Sequence, residues 1–325
     1  MRAIIAAVLS LLMASAAYAD PLPSWNQGEA KQRIIDFVEA VTDPGNPDYV
    51  TPAARVAVFD NDGTLWAEQP VYFQLIYAVE QVAAMAKSNP AILKSDAMKA
   101  AAAGDMKALA ATGKEGLLEV VLAAHSGITV EAFDGDVREW LMTAKHPTKD
   151  RGYDTLVYQP MLELLRYLRD MGFKTYIVSG GGIDFIRTFA ERVYNIPPEQ
   201  VIGSMGKSSY HIGANGKPAI MKDPGIAFID DKEGKPVAIA SRIGRRPIFA
   251  GGNSDGDFQM LEWTTAGDGP RFGMLVHHTD AEREWAYDRD SHIGKLVRGL
   301  DEADARGWLL VDMKNDWATV FPALP

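Results

Sequence analysis

The chain reads as an α/β protein, a parallel sheet carrying an inserted helical cap domain. Three observations predict it. Short apolar runs alternate with amphipathic helical stretches, the pattern of parallel strands joined by helical crossovers. A long alanine-rich helical block separates the first two of these runs and is too long for a loop. Polar clusters rich in Asp and Gly follow directly on the apolar runs, where parallel sheets place their ligands.

The elements follow in order. Residues 1–19 stand apart: Arg2, an apolar run from Ala3 to Met13 broken by Ser10, then Ala17-Tyr18-Ala19 before Asp20. This is the layout of a secretory signal peptide with an A-x-A-like cleavage site. The 17 residues from Ala3 to Ala19 include Ser10 and Ser15, which is short for a membrane span. Export to a bacterial periplasm or beyond is the expectation, with no membrane span left after cleavage. Residues 20–50 hold one amphipathic helix, its apolar side formed by Ile34, Ile35, Phe37, Val38 and Val41. Arg55 to Phe59 is a short buried strand running into Asp60. From Val71 to Thr143 the pattern is helical, and Pro90, Gly104, Gly113 and Gly127 divide it into about four helices. A helix from Met161 to Met171 follows, then a strand from Phe173 to Val178 ending at Ser179-Gly180-Gly181-Gly182. Another helix turns Phe185, Phe189 and Val193 inward, and Asn215-Gly216 signals a hairpin within 203–237. Strands at Pro247–Ala250 and Phe272–Val276 complete the expected sheet. The core is therefore expected over 51–66 and 156–325, with the cap over 67–155.

Composition narrows the function. Against 33 Lys+Arg stand 43 Asp+Glu, a net charge of −10, and the chain has no cysteine. Removing 1–19 deletes Arg2 and no acid, so −10 becomes −11. Nucleic acid is an unsuitable partner for such a chain, because its phosphates need many cations. Disulfides, zinc–thiolate centres and thiol nucleophiles are excluded outright.

Four clusters carry chemistry. Asp60-Asn61-Asp62-Gly63-Thr64 follows the first strand. Two carboxylates two residues apart can face one cleft if Gly63 turns the chain, one as nucleophile and one as general acid/base. Ser179 with its three glycines precedes a helix, where a hydroxyl and backbone N–H groups can hold an anion. Lys235, in Gly234-Lys235-Pro236, can neutralise phosphate as a point cation. Asn253-Ser254-Asp255-Gly256-Asp257 supplies amide and carboxylate oxygens suited to a hard cation.

This ordered set resembles the haloacid dehalogenase (HAD) superfamily over about Arg55 to Val276, with the Rossmannoid sheet of that family and a cap that looks like its C1 type. The strand-Ser-Gly-Gly-Gly element looks like its phosphoserine and phosphorylcholine phosphatase side. The resemblance implies that Asp60 attacks phosphorus to form an aspartyl-phosphate and that Asp62 serves as acid, then base. It implies that Thr64, Ser179, Gly180 and Lys235 hold the phosphate, and that Asp60, Asp62, Asn253 and Asp257 bind Mg²⁺. The expected substrate is a small phosphorylated metabolite, hydrolysed as a phosphomonoester. Alternatives are a phosphotransferase of the same fold and a periplasmic binding protein with weakened catalysis. Two positions depart from the pattern. Asn253 stands where the family's fourth motif begins with Asp, so that Asp255 or Asp257 is a possible substitute ligand. Gln69 stands where phosphoserine phosphatases carry a substrate-binding Glu, with Glu68 beside it.

Further residues have competing readings. Trp66, Tyr72 and Phe73 suit either a cage for a choline-like cation or packing of the cap. His146, His277 and His278 suit structural roles better than catalysis, and neighbouring residues on a strand point to opposite faces. Trp308, Trp317 and Phe321 are expected to pin the C-terminal segment to the core.

Overall fold

The computed structural model describes residues 19–213 and 216–324. Residues 1–18 of the signal segment therefore lie outside the described residues, as does Asn215 of the hairpin turn.

After helix α1 (Glu29–Thr42), strand β1 (Val56–Phe59) runs wholly buried to Asp60. Helices α2 (Phe73–Ser88), α3 (Asp96–Ala103), α4 (Met106–Ala111), α5 (Gly113–His125) and α6 (Val130–Thr143) follow without an intervening strand. They number five rather than about four, because each of the four breakers, Pro90, Gly104, Gly113 and Gly127, separates two helices. Next come α7 (Gln159–Asp170), β2 (Lys174–Gly182), α8 (Ile183–Tyr194) and the hairpin β3 (Val201–Ile212) and β4 (Pro218–Phe228). The chain continues through α9 (Gly234–Ile243), β5 (Phe249–Gly252), α10 (Phe258–Thr265), β6 (Phe272–Thr279) and β7 (Ala286–Tyr287). It ends with α11 (Arg298–Glu302), β8 (Leu309–Asp312) and α12 (Met313–Asp316).

The sheet order is β4-β3-β2-β1-β5-β6-β7, with β8 also paired to β6. The run β3-β2-β1-β5-β6-β8 is parallel, and β4 and β7 are antiparallel additions. Six parallel strands exceed those expected from sequence. β8 comes from the C-terminal segment, where Trp308 and Trp317 are buried. Trp317 meets Trp25 edge-on with ring centroids 5.9 Å apart, and Phe321 stacks on Tyr158. The N-terminal helical segment packs on the sheet: Phe37 of α1 meets Phe249 and Phe272.

One apolar cluster joins α1, α7 and α8 to a face of the sheet, and a second joins α9 and α10 to the other. A third lies within the helical insert, among α2, α3, α4 and α5. β1 occupies the centre, with β2 on one side and β5 on the other, so the strand order reverses around it. The carboxyl ends of these three strands open a crevice at that reversal.

Candidate active site

Each strand end delivers one group to the crevice. Asp60 directly follows β1, Ser179 to Gly182 form the end of β2, and Asn253 directly follows β5. Lys235 arrives from the first turn of α9 and is 2% exposed. A single flexible-looking loop lysine in sequence is thus a buried cation in the fold. Its Nζ donates to Asp60 Oδ1 at 2.6 Å, to Asp257 Oδ1 at 2.6 Å and to the Val178 carbonyl at 2.8 Å. The other Asp257 oxygen accepts from the backbone N–H groups of Asn253 and Ser254 at 3.0 and 3.1 Å. A side chain at Gly252 would strike Asp257, with Cβ contacts of 2.5 Å, so only glycine lets this carboxylate close on the strand end.

Burial pushes the Asp60 carboxyl well above its ordinary value, and the Asp257 charge adds to the effect; Lys235 pulls the other way. Asp62 is also raised, chiefly by burial, although the Trp66 indole N–H it accepts at 2.8 Å favours its charged form. Burial alone would lower the Lys235 ammonium, yet the Asp257 and Asp60 carboxylates hold it raised. Burial thus raises both carboxyls, and the Lys235 ammonium pulls each back toward its charged form.

Several expected residues take different places. Thr64 is a correction: its hydroxyl is fully buried and donates to Asn253 Oδ1 at 3.0 Å, so it positions the amide and does not face a phosphate. Ser179 is at the site, but its hydroxyl accepts from the Gly181 N–H at 3.1 Å. The Gly182 N–H is held by Gln74 Oε1 at 2.8 Å, and Gly180 lines the cavity. Asp255 is not a substitute ligand. Its oxygens accept from the backbone N–H groups of Val297, Arg298 and Gly299 at 3.0–3.2 Å, holding the start of α11. Trp66 and Phe73 form no cage. Both are buried, and Trp66 stacks on Phe189 at 4.4 Å. Only Tyr72 of that trio lines the cavity.

Glu68 was visible in the sequence only as a neighbour of Gln69. It is 1% exposed, accepts from Asn253 Nδ2 at 2.8 Å and from Tyr287 OH at 2.7 Å, and is pushed up to about 7 by burial. Its signal was an acid within an apolar stretch, with no spacing to name its partner. Gly63, in the left-handed region at φ 73°, leaves room for this pair: a Cβ there would lie 2.0 Å from Asn253 Nδ2. His278 Nε2 meets the Gly63 carbonyl at 2.8 Å and Nδ1 faces Glu284 at 3.1 Å, while His277 turns to Asp288. His146 bonds the Gln69 carbonyl at 2.8 Å. All three histidines brace loops.

The donor set fits a hard cation. Asp60, Asp62, Asp230 and Asp257 surround the one Lys235 ammonium, and both Asp230 oxygens are buried without a hydrogen-bond partner. Asn253 Oδ1 keeps a second lone pair beyond the one Thr64 uses. Among the described residues no three Asp, Glu or His side chains converge as a metal cage. A metal here would therefore draw on the Asn253 amide and the Asp62 carbonyl as well as Asp60.

The model of the haloacid dehalogenase-like hydrolases matches residues 57–262, from β1 through α10. The chain belongs to this family. Curated proteins give no match. A solved structure shares the fold: a protein of unknown function from Anaerococcus prevotii aligns at 17% identity, covering 81% of this chain and 89% of its own, with a TM-score of 0.52. A second of unknown function, from Bordetella pertussis, aligns at 16% identity over 80% of this chain and 98% of its own, TM-score 0.49. A phosphoserine phosphohydrolase-like protein from Francisella tularensis aligns at 19% identity over 77% and 98%, TM-score 0.40.

Proposed function

We infer that the protein is an exported, Mg²⁺-dependent phosphomonoesterase that acts on small molecules through an aspartyl-phosphate. The observation that carries this reading is Lys235 bridging Asp60 and Asp257 beside a raised Asp62, at the floor of an open cavity. A pure binding protein gains nothing from carboxylates aimed at an anion.

The residues divide the work as follows. An Asp60 oxygen attacks phosphorus while the ester P–O bond breaks, and Asp62 gives its proton to the departing alkoxide. Asp62, now a carboxylate, takes a proton from water as that oxygen bonds to phosphorus. The bond to Asp60 breaks, phosphate leaves, and Asp62 is protonated for the next turnover. Lys235 keeps Asp60 aligned and offsets charge at the reacting centre. Asp60, the Asp62 carbonyl and Asn253 would hold Mg²⁺, with Glu68 and Thr64 fixing the amide. The ion would supply charge neutralisation for a dianionic substrate. Support for export is the sequence pattern of 1–19.

The test is hydrolysis of p-nitrophenyl phosphate by the chain from Asp20 onward, with Mg²⁺ or with chelator, beside Asp60→Asn. Metal-dependent turnover that falls by roughly 10³-fold or more in the variant supports the reading. Turnover unchanged in Asp60→Asn defeats it. Sequencing the N-terminus of periplasmic protein tests the cut at Asp20.

A further inference from the structure

Above the carboxylate floor the cavity changes character. Its volume is about 480 Å³, within the usual range for a bound small molecule. One wall is the face of α5 that carries Leu117, Leu118, Val121 and Leu122. Spacings of one, three and four residues put these side chains on one side of the helix. The other side of α5, with Gly116, Val120 and Ala124, is already buried in the insert. The helix is therefore apolar on two faces: Leu117 and Val121 border both the insert's cluster and the cavity, and Leu118 and Leu122 extend the cavity wall. Met205 and Ile226 of the β3–β4 hairpin stand among the facing residues. Leu118 is 41% exposed.

The charged groups of this upper chamber come in opposite-sign neighbours, of which one is a direct ion pair. Lys222 pairs with Asp184, and Lys207 stands opposite Asp223 in the hairpin register. No arginine lines the cavity among the described residues. A substrate carboxylate would find no guanidinium fork, and a quaternary ammonium would find Tyr72 and Phe185 but no closed aromatic cage.

We propose that the cavity selects phosphomonoesters whose alcohol part is apolar, an aryl or medium-chain alkyl group lying against α5 and the hairpin. The inference rests on the phosphatase reading above and names its substrate class. Leaving group and phosphate then occupy distinct zones. The phosphoryl group sits among Asp60, Asp62 and Lys235, and the hydrocarbon covers side chains that water otherwise wets.

The test is kcat/KM for ethyl, butyl, hexyl and phenyl phosphate, beside phosphoserine and phosphorylcholine, with Asp60→Asn as the blank. The expected result is a rise of about fourfold per methylene along the alkyl series, the equivalent of ~0.8 kcal/mol for each buried CH₂. Phosphoserine and phosphorylcholine fall below hexyl phosphate. Leu118→Asp, at a half-exposed position that tolerates polarity, lowers the hexyl-to-ethyl ratio. Asp60-dependent hydrolysis with a flat alkyl series, or with a charged ester preferred, overturns the substrate class and leaves the phosphatase reading standing. An unchanged ratio in Leu118→Asp overturns the role of α5. If no ester is turned over with any metal, the phosphatase reading fails and the substrate class falls with it.

Discussion

Replacing Lys235 by Met removes the cation and keeps most of the side chain's bulk. In the native fold the ammonium is 2% exposed and lies 2.6 Å from both Asp60 and Asp257. Taking away one partner of a buried ion pair leaves uncompensated charge and costs about 3–5 kcal/mol. That is a large share of the roughly 5–15 kcal/mol typical of a folded domain. The cost has a definite pH dependence. Asp60 is raised by burial even with Lys235 present, and without that cation it rises further. A group raised on folding binds more protons in the native state than in the unfolded one, so stability grows as pH falls toward its unfolded value near 3.8. The variant must recover stability from neutral pH down to about 4 more steeply than the native protein. The assay is urea unfolding at pH 7.5 and pH 5, in chelator so that no metal replaces the missing charge. A loss under about 1 kcal/mol at pH 7.5, or one that does not shrink at pH 5, would refute the view that Lys235 is the charge-balancing centre of the site.

Four other outcomes are expected. Asp62→Asn lowers kcat by roughly 10²- to 10⁴-fold, the range of a general acid/base, measured with an aryl phosphate at saturating substrate. Trp66→Phe deletes the indole N–H that favours the charged form of Asp62; the alkaline limb of the kcat profile therefore moves to higher pH. Glu68 is raised from 4.5 to about 7, so folding binds its proton and native stability declines by about 3 kcal/mol as pH rises across that window. Glu68→Gln flattens the decline in unfolding curves taken between pH 4.5 and 7. Asp255→Ala loses the cap on residues 297–299 and about 0.5–2 kcal/mol of stability, while metal affinity measured by calorimetry stays unchanged.

Much of this arrangement is legible in the chain before any folding. β1, β2 and β5 are apolar runs with polar ends, and the Asp, Ser and Asn–Asp clusters occur at those ends because a buried strand must finish where polar groups reach the crevice. The helical insert is equally plain from its alanine-rich period. β8 was not legible, because a four-residue strand next to β6 gains its identity from pairing and not from its own pattern.

The sequence alone determined the family, the parallel sheet and the polar residue types at the strand-end crevice, since these depend on local period and on order along the chain. Only the tertiary structure decided partners. It turned Thr64 from phosphate to Asn253, sent Asp255 to a helix start, and set Glu68 behind the amide that replaces an acid. It also brought the α5 leucines over a site more than 50 residues away in sequence. Contacts of that kind arise from packing between distant segments, and no local pattern encodes them.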